Sequence, residues 1–259
     1  MTKLLPYIKH QCNLPIWRLE IDETGSFIFL EIRDTASKQV SFTSIDLNNG
    51  RVHFKDLSMP ERWLTGIEAA YDGVLLIHNY QSENGPVHKG LTAIDGITGR
   101  ALWGNYTLAF DQLSVNGPVV YNAQVQPKRL MLTDIKTGAT LRAYEPVIDT
   151  LLNNHIKTAQ LLPASFLGTI ELPAKPYGNT VHYMEHNSYR IVSLHTFLAG
   201  QLEQHLYIFD NEGNIVHCDL LQAGIQKLQP EAFVVHKNKL IYLKNRSELI
   251  VLNLQNTVL

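Results

Sequence analysis

The stretch Leu91-Thr92-Ala93-Ile94-Asp95-Gly96-Ile97-Thr98-Gly99-Arg100-Ala101-Leu102-Trp103 decides the fold. Residues of strand character end at Asp95, a turn closes on Gly99, and a second short strand follows. An aspartate can accept a hydrogen bond from its own backbone two residues on, and glycine takes positive φ without steric cost. The stretch therefore reads as two antiparallel strands joined by a tight turn. The same pattern recurs outward from it: Phe42-Thr43-Ser44-Ile45-Asp46 closes on Gly50, and Leu130-Met131-Leu132-Thr133-Asp134 closes on Gly138. Leu206-Tyr207-Ile208-Phe209-Asp210 closes on Gly213, one residue sooner, and Leu249-Ile250-Val251-Leu252-Asn253 is a degraded last copy.

Upstream of these copies lies a second hairpin, seen at residues 66–71 and 74–80 across Asp72-Gly73, and at 233–236 and 240–244 across Lys237-Asn238-Lys239. Four strands per unit follow, repeating every ~40 to 50 residues with one oversized gap, which is the period of a β-propeller blade. The expected architecture is all-β: a single propeller domain over residues 1–259, with four-stranded antiparallel blades at 16–56, 64–104, 107–144, 180–220 and 232–255. The last blade lacks its fourth strand, and residues 4–10 are expected to supply it and remove an open edge. The proline-bearing interval 145–179 is expected to be an insertion packed beside the funnel mouth through Leu151, Leu152, Leu161, Leu162, Phe166 and Leu167. The alternative is that it forms a sixth blade.

With 259 residues, of which 45% are hydrophobic, the chain can bury a full core. Only 18% are charged, the net charge is -2, and the charges do not occur in blocks. This argues against a nucleic-acid or anionic-membrane partner. No apolar run approaches the ~18 residues of a membrane helix, and the first residues lack the apolar core of a signal peptide, so a cytoplasmic location is expected. Cys12 and Cys218 show neither CxxC nor metal spacing and read as reduced thiols.

The 91–103 copy, and the 130–142 copy after it, resemble the repeat of the quinoprotein (PQQ-like) β-propeller superfamily, and the chain as a whole resembles a short bacterial member of a family with no assigned function. The resemblance implies the fold. Quinoprotein dehydrogenases place adjacent cysteines against their cofactor and bind calcium through acidic and amide side chains. Neither feature is present, so no cofactor is carried over.

In an up-and-down meander the Asp-to-Gly turns share one end with the first hairpin turns. The longer connections, 34–38, 58–62, 81–89, 126–129 and 197–204, share the other. Function on such scaffolds usually sits on the long-loop end. Arg62, Trp63, His78 and Tyr80 are the candidate contacts there for a protein or peptide partner, because aromatics and arginine dominate such surfaces. The competing reading is a funnel enzyme acting on a small molecule or glycan through Glu20, Glu68 and Asp111, which fall on predicted innermost strands. Asp46, Asp95, Asp134 and Asp210 read as turn residues. The suggestive histidine cluster is His182, His186 and His195, read as partly buried rather than ligating, so no metal is expected.

Overall fold

The computed structural model describes residues 3–83, 85–168, 170–230 and 232–255. They form 22 strands in five antiparallel sheets, joined by two short 3-10 turns. Among the described residues no helix is long and apolar enough to cross a membrane. The chain divides into two compact units, residues 14–154 and residues 1–13 with 155–259.

Strand β1 (Ile8–Gln11) belongs to the second of these units. The first unit holds three four-stranded sheets. Sheet one is β2 (Ile16–Ile21), β3 (Phe27–Asp34), β4 (Gln39–Asp46) and β5 (Val52–Ser58). Sheet two is β6 (Thr65–Tyr71), β7 (Val74–Ser82), β8 (Gly85–Asp95) and β9 (Ala101–Asn105). Sheet three is β10 (Leu108–Ser114), β11 (Gly117–Asn122), β12 (Leu130–Thr133) and β13 (Thr140–Ala143). Alternating side chains of β7 fill the two faces of sheet two. Leu75 and Ile77 pack with Phe29, Val40 and Phe42 of sheet one, whereas Val74 and Leu76 pack with Ile135, Trp103 and Phe110.

Within this unit the connections at each end lie side by side. At the tight-turn end the Gly73 amide donates to Asp22 Oδ2 at 2.6 Å, and the Tyr71 hydroxyl donates to the Val115 carbonyl at 3.0 Å. At the other end Lys38 pairs with Glu83 at 3.0 Å, and the Val40 amide donates to the Arg62 carbonyl at 2.7 Å.

The repeated turns form as the sequence dictates. Asp95 Oδ1 accepts the Thr98 amide at 2.7 Å and hydroxyl at 2.8 Å, and Asp134 Oδ1 accepts the Thr137 amide at 2.8 Å and hydroxyl at 2.9 Å. These bonds hold both carboxyls below the ordinary carboxylate range, although partial burial opposes the shift. Gly50, Gly99 and Gly138 have φ of 75°, 69° and 72°. Gly138 is doubly constrained, because a Cβ there would stand 2.6 Å from Cδ2 of Trp103, whose indole N–H donates to the Ile135 carbonyl at 2.8 Å. Gly138→Ala is expected to cost about 2–4 kcal/mol, the left-handed penalty plus displacement of the indole. Urea unfolding checks this, with Gly213→Ala as the comparison, since open space surrounds that glycine and only the backbone term remains.

The second unit holds two five-stranded sheets. The first is β15 (Gln160–Pro163), β16 (Thr180–His186), β17 (Tyr189–Leu198), β18 (Gln201–Phe209) and β19 (Ile215–Ile225). The other, in spatial order, is β1, β22 (Glu248–Asn253), β21 (Lys239–Lys244), β20 (Val234–His236) and β14 (Ile156–Thr158). The N-terminal strand completes the last sheet as expected, shifted toward residue 11, with Ile8 opposite Val251 and Gln11 opposite Glu248.

The 145–179 interval departs from expectation. It is not a sixth sheet of four strands, and it is more than a packed insertion. It supplies two short edge strands, β14 against β20 and β15 against β16, each adding a fifth strand to an existing sheet. Pro163 fits at the end of an edge strand, where no ladder donor is needed. Of the apolar residues expected to pack, Leu167 is buried while Leu151, Leu161 and Phe166 are more than 60% exposed. The start of the interval is fixed in the first unit by Asp149, which is fully buried. It accepts Arg142 Nη2 at 2.6 Å, the Glu145 amide at 2.9 Å and Asn116 Nδ2 at 2.9 Å.

Candidate functional site

The first strand of each sheet in the first unit is broken by a bulge. The register shifts between Ile16 and Arg18 in β2, between Ile67 and Ala69 in β6, and between Phe110 and Gln112 in β10. The extra residues are Trp17, Glu68 and Asp111. A bulge places two residues opposite one and re-aims a side chain that strict alternation would direct elsewhere. Two of the three carboxylates expected on innermost strands, Glu68 and Asp111, therefore occupy equivalent positions, and Glu20 does not.

A second bulge lies across sheet two. His78 pairs with Leu91 but Asn79 pairs with Lys89, which leaves Gly90 as the extra residue of β8, at φ 71°. Beyond it, Tyr80 stands opposite His88, so His78, Tyr80 and His88 project from one face. Glu68 meets them there. Its Oε2 lies 3.1 Å from His78 Nδ1 and 2.8 Å from His88 Nδ1. The two imidazoles stack with centroids 3.5 Å apart and planes 7° apart, and the Tyr80 ring sets its edge against both, at 4.7 and 5.1 Å.

Burial grades across the group. The His78 side chain is 1% exposed, that of Glu68 11% and that of His88 34%, so the cluster opens to solvent on the His88 side. Burial alone would raise the Glu68 carboxyl, but the two imidazoles outweigh it and hold it below its ordinary value. His78 Nε2 is buried without a hydrogen bond, and Nδ1 faces Glu68 Oε2 at 3.1 Å outside hydrogen-bond alignment. Gly66 faces His78 across the ladder, and a Cβ there would stand 3.2 Å from both Cε1 and Nε2 of the imidazole.

The strand that carries Glu68 is anchored from sheet one. Arg18 donates through Nη1 to the Ile67 carbonyl at 2.8 Å and through Nη2 to the Glu68 carbonyl at 3.2 Å, and it pairs with Glu20 at 3.1 Å. Glu20 is thereby a neighbour of the cluster. Burial lifts its carboxyl above the ordinary value against the pull of Arg18, and the Glu68 charge adds to the lift. Asp111 pairs instead with Lys128 at 2.5 Å, whose ammonium sits 4.0 Å from the centroid of the Tyr121 ring.

The expected docking residues separate by exposure. Arg62 is exposed and Tyr80 half-buried. Trp63 is half-buried against the core of sheets one and two with the Arg33 guanidinium 5.0 Å over its ring, and His78 is out of reach of any docked partner. The three histidines that the sequence places near one another, His182, His186 and His195, have separate surroundings. His182 and His195 have ring centroids 6.5 Å apart, and His195 Nε2 accepts the Gln229 amide at 3.0 Å while burial pushes its pKa down to about 4. His186 Nε2 lies 3.3 Å from Asn238 Oδ1. Among the described residues Glu68, His78 and His88 are the group that could hold a metal ion, with ligand atoms all within 4.8 Å of one another. His88 escaped the sequence reading because uninterrupted pairing would put it opposite Gln81, facing the other way, and no residue but Gly90 marks the bulge.

A family model described as a domain of unknown function (DUF4905) matches residues 21–103, from the end of β2 into β9. No curated protein matches the sequence. Solved structures similar to this chain include Raptor from Chaetomium thermophilum, at 11% identity and a TM-score of 0.32, covering 98% of this chain and 29% of that one. A europium-containing methanol dehydrogenase is similar at 12% identity and a TM-score of 0.30, covering 94% and 52% respectively. A bifunctional GH43-CE protein from Bacteroides eggerthii is similar at 8% identity and a TM-score of 0.30, covering 98% and 38%. The chain spans about half or less of the length of each of these structures.

Proposed function

We propose that the five sheets are the blades of one β-propeller with PQQ-like repeats, and that the chain is a non-catalytic binding module. It takes a protein or peptide partner at the end formed by the β3–β4, β5–β6, β7–β8 and β9–β10 connections. The observation that carries this reading is the exposure of aromatic side chains there. Trp17 is 66% exposed at the start of β2, and Tyr106 is 78% exposed between β9 and β10. Val87 and Arg62 are exposed at the same end. Large amphipathic rings and arginine anchor recognition surfaces, whereas the opposite end is closed by self-satisfied aspartate turns.

The test selects peptides from a displayed library on the full chain and measures their affinity by calorimetry. Trp17→Ala and Tyr106→Ala are each expected to weaken the selected peptides by at least about tenfold, the range of an interface hot spot. Ile97→Ala, in a tight turn, should leave them unchanged. Enrichment of no peptide, or equal loss in all three variants, contradicts the reading.

One observation favours the competing enzyme reading. Glu68 orients the half-exposed His88 imidazole at 2.8 Å, an arrangement suited to a general base, with Glu20 close by. That reading requires a hydrolytic turnover that His88→Ala abolishes while peptide binding persists.

A further inference from the structure

We propose that Glu68, His78 and His88 form a binding site for one divalent transition-metal ion of the zinc class. Two imidazoles and one carboxylate are a donor set that such ions accept, with a remaining position left for water or another donor. Four observations converge on it.

The first is geometric. Tetrahedral bonds of about 2.0–2.1 Å to N and O place neighbouring donors roughly 3.3 Å apart. The two imidazole nitrogens stand 3.1 and 2.8 Å from the carboxylate oxygen and all three donor atoms fall within 4.8 Å, so the spacing suits one ion once the His88 ring, now parallel to His78, turns to aim its lone pair at it.

The second is the state of His78. A side chain this deeply buried ordinarily has its nitrogens hydrogen-bonded, and each one left bare carries a desolvation cost. Nε2 of His78 has no hydrogen bond, and Nδ1 is directed into the cluster, where it meets Glu68 Oε2 at 3.1 Å without hydrogen-bond alignment. A metal bond at Nδ1 gives that lone pair an aligned partner.

The third is how the backbone was arranged to produce the group. Two independent bulges, at Glu68 and at Gly90, are needed before the three side chains share a face, and the absence of a Cβ at Gly66 leaves room for the His78 ring. A structural carboxylate–imidazole pair would need only one histidine and one of these bulges.

The fourth is access. His78 and Glu68 are fixed, and Arg18 holds the backbone under Glu68. His88 faces solvent beside the bulge and can turn out of its stack to direct Nδ1 at an ion arriving from that side. The open coordination position then faces solvent as well.

The experiment uses the full, untagged chain stripped with a chelator. Zinc is titrated in competition with a chromophoric chelator, and cobalt(II) is then added as a spectroscopic probe. One equivalent of zinc should bind, and cobalt should give the visible absorption of a site of low coordination number. His88→Gln changes a half-exposed residue and preserves the fold, as circular dichroism will check. It should weaken zinc at least the roughly 100-fold that losing even an outer partner of a metal ligand can cost. Glu68→Gln should do the same, and Cys218→Ser, an exposed thiol elsewhere, should change nothing. Absence of stoichiometric zinc binding, or unchanged affinity in folded His88→Gln, overturns the proposal. Peptide binding at the loop end is measured separately on the same variants, so that failure of one reading does not stand for failure of the other.

Discussion

Glu31→Ala is expected to destabilise the first unit by about 3–5 kcal/mol, the range for removing one partner of a buried ion pair. Glu31 and Arg33 are 2% and 9% exposed and are joined at 2.6 Å. The remaining donors and acceptors are taken as well. Arg33 Nη2 donates to the Thr65 carbonyl at 2.7 Å, and Glu31 Oε2 accepts the Ile67 amide at 2.8 Å. The guanidinium also lies 5.0 Å from the Trp63 ring and 5.8 Å from the Trp17 ring. Truncating Glu31 leaves a buried cation without its counter-ion and a buried amide without an acceptor, immediately before Glu68. Replacing both residues together, Glu31→Leu with Arg33→Leu, should recover a large part of the loss. Urea unfolding at neutral pH measures both, and a loss below about 1 kcal/mol in the single variant would show that water reaches the pair.

Removing residues 1–11 should have a comparable effect on the second unit and a visible one on solubility. β1 contributes a four-residue ladder to β22, and Ile8 is 3% exposed. Leu4 donates its amide to the Val216 carbonyl at 3.0 Å, and its own carbonyl lies 3.1 Å from His217 Nδ1. Burial of one isoleucine and several net hydrogen bonds together amount to about 4–6 kcal/mol. The freed edge of β22 carries Leu249, Ile250 and Val251, all buried in the intact chain. An unpaired apolar edge is a template for association. Light scattering should therefore rise with concentration in the truncated protein and not in the full chain. Equal solubility and equal urea midpoints would mean that β1 contributes nothing to the sheet.

The parts of this architecture that were legible in the sequence are those written as local turn chemistry. Asp95 with Gly99 and Asp134 with Gly138 are read without any tertiary information, because a carboxylate, two amides and a positive φ define the turn within five residues. β14 and β15 carry no such mark. They are short edge strands whose pairing depends on partners roughly 20 to 80 residues away, and nothing local distinguishes Gln160–Pro163 from a loop. The candidate site was half legible. Glu68 and His78 stood out for separate reasons, one as an inner-strand acid and the other as a loop-end contact. What joins them is a pair of bulges, and a bulge changes the facing of a residue without changing its identity.

On this view the two bulges assemble a metal centre from Glu68, His78 and His88. X-ray absorption at the zinc edge of the full chain, loaded with one equivalent, tests it most directly. Ligation by Glu68, His78 and His88 gives a shell of nitrogen and oxygen at about 2.0–2.1 Å with the multiple-scattering signature of two imidazoles, reduced to one in His88→Gln. A sulfur scatterer at about 2.3 Å, or a spectrum that His88→Gln leaves unaltered, would contradict it.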